Sequence, residues 1–186
     1  MNEGLFIVLS GPSGAGKTSL VDRALKEYSE LQKPVSYTTR SSREGEVDGQ
    51  SYYFLNREKF REFQEQKAFV EWAEVYGELY GTSVEEIRKI WVRGKIIIKD
   101  LDIQGMQSVK KAFSKVITVF VAPPSIDALR QRLLKRGQEA PSLSDRLLQA
   151  EGEMIWKNRC DHSLINEDFE RAWEHLKKII EKVKNL

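Results

Sequence analysis

The sequence is poor in the residues that build disulfides and zinc sites. Its 186 residues include one cysteine, Cys160, and two histidines, His162 and His175. A single thiol excludes a disulfide within the chain, and no cluster of histidine, cysteine and carboxylates has metal-ligand spacing, so we expect no zinc site. We interpret both histidines as structural or surface residues and assign no chemistry to Cys160. So little cysteine is most simply interpreted as a cytoplasmic location.

Net charge and long apolar runs are also lacking. The 30 lysines and arginines nearly balance the 28 acidic residues, leaving a net charge of +2. No global charge therefore favours DNA, RNA or a membrane as a partner, and affinity for anions must come from local clusters. The apolar run at residues 5–9 is too short for a signal peptide or a membrane span. We expect one domain, monomeric or homodimeric, with no nucleic-acid or membrane partner.

Apolar patterns predict an α/β fold with a mostly parallel sheet flanked by helices. Short β-rich runs predict buried strands at residues 5–10, 95–102 and 115–122. Helical spacing of apolar residues predicts helices at residues 17–28, 83–93, 125–136 and 168–183. Strands that alternate with helices are typical of parallel sheets.

Two regions interrupt this alternation. The pattern of residues 36–83 predicts short strands with a polar face, together with one helix at 57–66. Residues 137–145 predict an irregular polar loop between arginine-bearing helices. We interpret both regions as flaps over a core rather than as independent domains.

A glycine-rich segment follows the first predicted strand. The sequence GPSGAGKT at residues 11–18 matches G-x-x-x-x-G-K-[ST], between a predicted strand and a predicted helix. Backbone N–H groups and the helix N-terminus in such a loop bind phosphate, the lysine reaches the β/γ-phosphates and the threonine hydroxyl ligates Mg²⁺. A nucleoside triphosphate is therefore the expected ligand, and the candidate residues are Gly11, Pro12, Ser13, Gly14, Ala15, Gly16, Lys17, Thr18 and Ser19.

A second phosphate site is indicated outside this loop. Arg40 and Arg43 suit one phosphate, because a guanidinium grips two oxygens at once, and Tyr52 and Tyr80 add hydroxyl donors. Taken alone, the two arginines are better explained as surface residues that pair with Glu44 and Glu46, and it is the phosphate loop and the other motifs that favour a phosphate site. Two phosphate sites in one chain are what a nucleotide kinase needs, one for the donor and one for the acceptor.

Several segments together resemble guanylate kinase, in order and at the right spacing. They are SYTTRSSREGEVDGQSYYF from residue 36, FVEWAEVYGELYGTS from 69, KDLDIQG from 99, VFVAPPSIDALRQRLLKRG from 119 and LINED from 164. The resemblance covers nearly the whole chain. It implies a P-loop NTPase fold and ATP-dependent phosphorylation of GMP or dGMP with Mg²⁺. It also implies a core of residues 1–35, 84–125 and 151–186, a GMP-binding flap at 36–83 and a lid at 126–150.

The resemblance also implies a role for individual residues. Those expected to bind the GMP phosphate are Arg40, Arg43, Tyr52 and Tyr80. The guanine base would be read by Ser36, Glu71, Thr82 and Asp102. Arginines expected at the transferring phosphoryl group, beside Lys17, are Arg132, Arg136 and Arg146. Asn166 would lie near the adenine of ATP, and Thr18 and Asp100, the latter through water, would hold Mg²⁺.

The sequence leaves some alternatives open. Glu71 could simply belong to the solvent face of a strand. Ser42 stands where the family usually carries proline, and the short loop at 137–145 makes the register of Arg146 less secure than that of Arg40. A protein-interaction module of scaffold proteins and a kinase of phosphorylated sugars are rival functions. The intact Lys17 and Thr18 favour an enzyme over the former, and the full guanine-reading set favours GMP over the latter.

Overall fold

A computed structural model describes residues 3–75, 77–135 and 140–184. Its strands are β1 Phe6–Ser10, β2 Leu31–Gln32, β3 Tyr37–Thr38, β4 Tyr53–Phe54, β5 Phe69–Val75, β6 Glu78–Ser83, β7 Ile96–Asp100, β8 Val116–Ala122 and β9 His162–Ile165. Its α-helices are α1 Lys17–Glu27, α2 Arg57–Glu65, α3 Val84–Val92, α4 Ile103–Ala112, α5 Ile126–Lys135, α6 Ala140–Glu153 and α7 Phe169–Val183. A 3₁₀-helix at Met154–Asn158 follows α6.

The larger sheet is parallel and carries the core. Its strand order is β2-β7-β1-β8-β9, and Leu9 of β1 pairs with both Asp100 and Val119. Helices α1 and α7 pack on the side of the sheet that contains Ile7 and Leu9, whereas α3 and α4 cover the side that contains Phe6 and Val8. Because both faces are covered, the central strands β1 and β8 are almost wholly apolar, as the predicted parallel sheet requires.

A smaller sheet of four strands lies between β2 and α3 in the chain. Its order is β4-β3-β6-β5, with β5 and β6 forming an antiparallel hairpin. An aromatic cluster holds α2 against this sheet: Tyr37 lies 5.3 Å from Phe63, and Phe60 lies 4.5 Å from Phe69, between ring centroids. The prediction of short strands and one helix at residues 36–83 is confirmed.

The three predicted core strands and the α/β fold class are confirmed, but two strands were missed. Strand β2 has two residues, too few for a periodic pattern, and β9 contains the polar pair His162 and Ser163 in four residues. Both lie at edges of the sheet, where one neighbouring strand suffices.

The expectation of an irregular loop through residue 145 was wrong, because α6 begins at Ala140. Leu143, Leu147 and Ala150 recur at helical spacing and pack on Leu129 and Leu133 of α5. This apolar stripe stabilises a helix where the polar residues had suggested a loop. Residues 136–139, including the candidate Arg136, lie outside the described part of the chain.

Within the described ranges, no helix combines the length and the apolar character needed to cross a bilayer.

Trp173 in α7 is the largest fully buried side chain and joins α7 to α1. Its surface is 1% exposed, its ring lies 6.3 Å from that of Tyr28, and the Arg23 guanidinium lies 5.6 Å from it. Replacing Trp173 by alanine leaves a large cavity, so we expect the free energy of unfolding to fall by about 3–5 kcal/mol. Denaturant titration followed by circular dichroism measures the change.

His175→Ala is the control for this substitution, because His175 is exposed on the same helix. We expect it to change the free energy of unfolding by less than about 0.5 kcal/mol. Equal effects of the two substitutions would contradict the assignment of Trp173 to the core.

Candidate active site

The phosphate loop has the backbone that its sequence predicts. Gly11 and Gly16 adopt φ angles of 131° and 94°, which side-chain-bearing residues rarely adopt. A Cβ atom at Gly11 would collide with the Val121 carbonyl, and one at Gly16 with the Asn166 side chain. Helix α1 begins at Lys17, directly after the loop. The loop therefore places a helix N-terminus behind its backbone N–H groups, which is the arrangement that binds phosphate.

Lys17 and Arg146 both line a cavity at the phosphate loop. The Lys17 ammonium donates to the carbonyls of Gly11 and Pro12, the latter at 2.9 Å. Arg146 of α6 donates to Ser13 Oγ at 3.2 Å. We call this space the donor cavity; its volume is about 270 Å³ and its lining includes Gly14, Gly16, Lys17, Thr18, Ser19, Asp100, Asp102, Arg146 and Glu153.

Asp100, at the end of β7, connects the loop to its surroundings. Its Oδ2 accepts from the Thr18 hydroxyl at 2.6 Å, and its Oδ1 accepts from Lys33 Nζ at 3.0 Å. Burial opposes ionisation of this carboxyl, but the Lys33 ammonium and the Thr18 hydroxyl outweigh it and hold the pKa of Asp100 below its ordinary value. Asp100 is thus a carboxylate at neutral pH.

The oxygen atoms of Thr18 and Asp100 fit Mg²⁺, which prefers hard oxygen ligands. Within the described ranges, no group of three or more histidines, cysteines or carboxylates could hold a metal ion by itself. That is consistent with Mg²⁺, which is usually bound through one or two protein groups together with substrate phosphates and waters.

Asn166 and Arg132 support the loop from behind. Asn166 is 5% exposed, and its amide nitrogen donates to the Ala15 carbonyl at 2.8 Å. Arg132 of α5 donates to the carbonyl of Asn166 at 2.6 Å and to that of Glu167 at 3.3 Å. Both predicted residues are therefore near the loop, with side chains that bind its backbone and the β9–α7 connection.

A second cavity adjoins the first. This acceptor cavity has a volume of about 620 Å³ and lies between the end of β7 and the smaller sheet. Thr18, Asp100 and Asp102 line both cavities. The acceptor cavity is also lined by Lys33, Ser36, Tyr52, Glu71, Tyr80 and Lys99.

Arg40 is held in place by Glu46 and by aromatic rings. Its two terminal nitrogens lie 3.0 and 2.8 Å from the two Glu46 oxygens, and its guanidinium lies 5.5 Å from the Tyr52 ring. The hydrogen bonds of this pair raise the pKa of Arg40 and lower that of Glu46. Tyr52 and Tyr80 meet edge to face at 6.1 Å. Pairing of Arg40 with Glu46, one half of the surface interpretation, is thus observed beside Tyr52, which lines the acceptor cavity.

Arg43 contributes its backbone to the same cluster. Its N–H donates to Glu46 Oε2 at 2.7 Å, while its residue surface is exposed. Arg43 is next to the Arg40 site, although it does not line the cavity as Tyr52 and Tyr80 do.

Three of the predicted base-reading residues, Ser36, Glu71 and Asp102, line the acceptor cavity, whereas Thr82 is fully buried and does not line it. Glu71 of β5 accepts a short hydrogen bond from the Thr82 hydroxyl of β6. Its side chain is 9% exposed, so it is not on a solvent face. Asp102 caps α4 by accepting from the Gly105 N–H at 2.7 Å. A Cβ atom at Gly105 would lie 3.1 Å from Asp102 Oδ1 and 3.4 Å from Glu71 Oε2, so glycine leaves room for both carboxylates.

Sequence reasoning missed three residues of the site: Lys33, Lys99 and Glu153. Lys99 carried a signal, since it interrupts the aliphatic strand β7. Glu153 Oε1 accepts from Gln149 at 3.0 Å, but its Oε2 is buried and no described residue hydrogen-bonds it. Burial raises the pKa of Glu153. No motif marks this residue, because its place in the donor cavity depends on the start and direction of α6.

The contact between Asn166 and Ala15 generates a stability prediction. Asn166→Ala leaves a buried carbonyl without its donor, so we expect the free energy of unfolding to fall by about 1–3 kcal/mol. Because that carbonyl belongs to the phosphate loop, affinity for a non-hydrolysable ATP analogue should fall as well. Denaturant titration and calorimetry measure the two effects.

Asn158, exposed at the end of the 3₁₀-helix, provides the matched control. We expect Asn158→Ala to change the free energy of unfolding by less than about 0.5 kcal/mol and to leave analogue binding unaltered. Full stability and full affinity in Asn166→Ala would show that the loop does not depend on this contact.

Known proteins share this sequence and architecture. A sequence profile of the family described as "Guanylate kinase" matches residues 4–183. A guanylate kinase of Shewanella sp. (strain MR-7) is 46% identical over 178 residues, which cover 95% of this chain and 86% of that protein. One of Bdellovibrio bacteriovorus is 41% identical over 177 residues, covering 95% of this chain and 96% of that protein. The crystal structure of guanylate kinase from Anaplasma phagocytophilum matches with a TM-score of 0.74 and 28% identity over 96% of this chain and 85% of that chain. The chain belongs to the guanylate kinase family.

Proposed function

We propose that this protein transfers the γ-phosphoryl group of ATP to GMP or dGMP, giving ADP and the nucleoside diphosphate. The observation that carries the proposal is the pair of adjoining cavities. One is built on the phosphate loop, and the other is lined by two tyrosines and by polar base-reading residues, with Arg40 packed on the ring of Tyr52; the two cavities meet at Thr18, Asp100 and Asp102. A donor and an acceptor nucleotide bound there would have their phosphates next to each other. Membership of the guanylate kinase family supports the same reaction.

The chemistry of the acceptor cavity suits guanine. The Watson–Crick edge of guanine has two adjacent donors, N1–H and the 2-amino group, and one acceptor, O6. The Glu71 carboxylate accepts, and hydroxyls such as that of Ser36 can donate. Adenine presents an amino group at position 6 and lacks the 2-amino group, so it would leave these buried partners unpaired. Such unpaired groups are what gives hydrogen-bonding sites their selectivity.

Catalysis would rest on positioning and on neutralising charge. Lys17 and Arg146 line the donor cavity, where they would bind the oxygens of the moving phosphoryl group. We propose that Arg132 and Arg136 join them from the lid, and that Arg40, Arg43, Tyr52 and Tyr80 orient the acceptor phosphate. Thr18, directly, and Asp100, through water, would hold Mg²⁺, which when bound neutralises charge on the phosphates. The acceptor is itself an anion, so no strong general base is needed.

Motion would complete the site. We propose that residues 36–83 close over GMP and residues 126–150 over ATP, against a core of residues 1–35, 84–125 and 151–186. A nucleotide must be able to enter the acceptor cavity, whereas transfer without hydrolysis requires that water be excluded. Arg146 of α6 donates to Ser13 in the phosphate loop, and this contact supports the proposal that the lid brings an arginine to the phosphates.

An acceptor screen tests the function directly. Purified protein with ATP and Mg²⁺ is offered GMP, dGMP, AMP, UMP or ribose bisphosphate, and ADP formation is measured. We expect GMP and dGMP to be used far better than the others. Lys17→Met, which keeps volume but removes charge, should lower the rate by orders of magnitude, about several kcal/mol of transition-state stabilisation. Preference for ribose bisphosphate, or an absence of transfer to every acceptor, would overturn the proposal.

A substitution at Arg40 tests the acceptor phosphate site independently of the ATP site. Arg40→Lys keeps the charge but loses the forked geometry that now spans both Glu46 oxygens. We expect kcat/KM for GMP to fall about 10-fold or more, with ATP affinity in the absence of GMP unchanged. Steady-state kinetics and calorimetry give the two values.

Arg61→Lys is the control, since Arg61 is exposed on α2 in the same flap. It should leave both values near those of the wild type. A loss of ATP affinity in Arg40→Lys with GMP use intact would contradict the assignment.

A further inference from the structure

Lys99 is a buried cation that the proposed mechanism does not use. It lies near the end of β7 and is 5% exposed, and among the described residues it is the one buried lysine or arginine. Isolated buried charges are costly, so they are kept where neighbouring groups compensate them. The neighbours of Lys99 are the residues proposed to read the base.

Three polar groups from three separate segments surround the Lys99 ammonium. Its Nζ donates to Ser36 Oγ at 2.6 Å and to Thr82 Oγ1 at 2.5 Å. Glu71 Oε1 lies 3.9 Å away. Burial lowers the pKa of Lys99, while the Glu71 carboxylate favours the charged ammonium form. Lys99 thus connects the core sheet to the smaller sheet at the floor of the acceptor cavity.

An ammonium group donates hydrogen bonds and accepts none. Both hydroxyl oxygens must therefore accept from Lys99, which leaves each of them one proton to donate elsewhere. Thr82 gives its proton to Glu71. Ser36 lines the cavity and, among the described residues, has Lys99 as its side-chain partner, so its proton remains for a ligand.

We propose that Lys99 is a positioning residue that fixes the direction of these hydrogen bonds, so that Ser36 presents a donor and Glu71 an acceptor to the base. The pocket then accepts a purine with an oxygen at position 6 and rejects one with an amino group there. This inference rests on the proposed function. It identifies Lys99 as the residue that restricts the acceptor to 6-oxopurine nucleoside monophosphates. Lys99 acts through Ser36 and Thr82 rather than by touching the reacting phosphates.

The kinetics of three acceptors, GMP, IMP and AMP, distinguish this role of Lys99 from a general structural one. IMP and AMP differ at position 6 and in the adjoining N1 proton, whereas GMP and IMP differ only in the 2-amino group. In Lys99→Met, Ser36 is free to accept from a 6-amino group, so the IMP-to-AMP ratio of kcat/KM should fall about 10-fold or more. The GMP-to-IMP ratio should stay near that of the wild type, because Glu71 and Asp102 remain.

A second variant keeps a polar end at the same position. The amide of Lys99→Gln donates and also accepts, so it no longer forces either hydroxyl to accept, and we expect the IMP-to-AMP ratio to fall in this variant too. Lys95→Met is the matched control, since Lys95 precedes the same strand and donates to the backbone carbonyl of Ser29 outside the cavities. It should leave every ratio unchanged.

Binding of GMP, IMP and AMP, measured by calorimetry, should follow the same order as the kinetics. Two results would overturn the role of Lys99: a parallel loss with all three acceptors, or a wild-type IMP-to-AMP ratio in Lys99→Met or Lys99→Gln. Neither result would contradict the proposed phosphorylation of GMP by the wild-type protein. A wild-type protein that phosphorylates none of the three would overturn the proposed function, and this inference with it.

Discussion

The end of strand β7 is the point on which both halves of the site depend. Successive residues of a strand leave it on opposite sides. The side chain of Lys99 leaves β7 on the same side as that of Ile97, the side that α3 and α4 cover, and it contacts Ser36 and Thr82. The side chain of Asp100 leaves β7 on the same side as that of Ile98, which packs with α1, and it contacts Thr18 and Lys33. One strand end thus positions the acceptor cavity with one residue and the donor cavity with the next, which explains why the two cavities adjoin.

Charge is compensated locally at each place where a phosphate is expected. Arg40 is neutralised by Glu46, Asp100 by Lys33, and Lys17 donates to loop carbonyls. Without such partners, cationic groups gathered around one cavity would repel each other and destabilise the fold. A bound phosphate would supply negative charge of its own, so each cation exchanges one anionic or dipolar partner for another rather than being freshly desolvated. Preorganised groups of this kind cost little reorganisation when the reaction occurs.

Local sequence predicted those parts of the fold and site that local physics determines. Gly11, Gly16 and Lys17 predict the phosphate loop, because the backbone angles and the lysine that bind phosphate are needed within a few residues of each other. Aliphatic runs predict β1, β7 and β8. The start of α6 depends on packing against α5, so the polar residues before Leu143 suggested a loop instead. The contacts of Lys99 and Asn166 join residues far apart in the chain, and Glu153 lines a cavity together with residues distant from it in the chain. Pattern and spacing carry no record of such pairs, although a lysine inside an aliphatic strand was a visible anomaly.

Simultaneous occupation of two sites is the claim from which the rest follows, and calorimetry tests it most directly. GMP is titrated into protein saturated with a non-hydrolysable ATP analogue and Mg²⁺, and separately into protein alone. We predict that GMP binds once per chain in both cases and does not displace the analogue. An apparent GMP dissociation constant that rises in proportion to the analogue concentration would show that the nucleotides compete for one site, and would contradict two adjoining cavities with separate ligands.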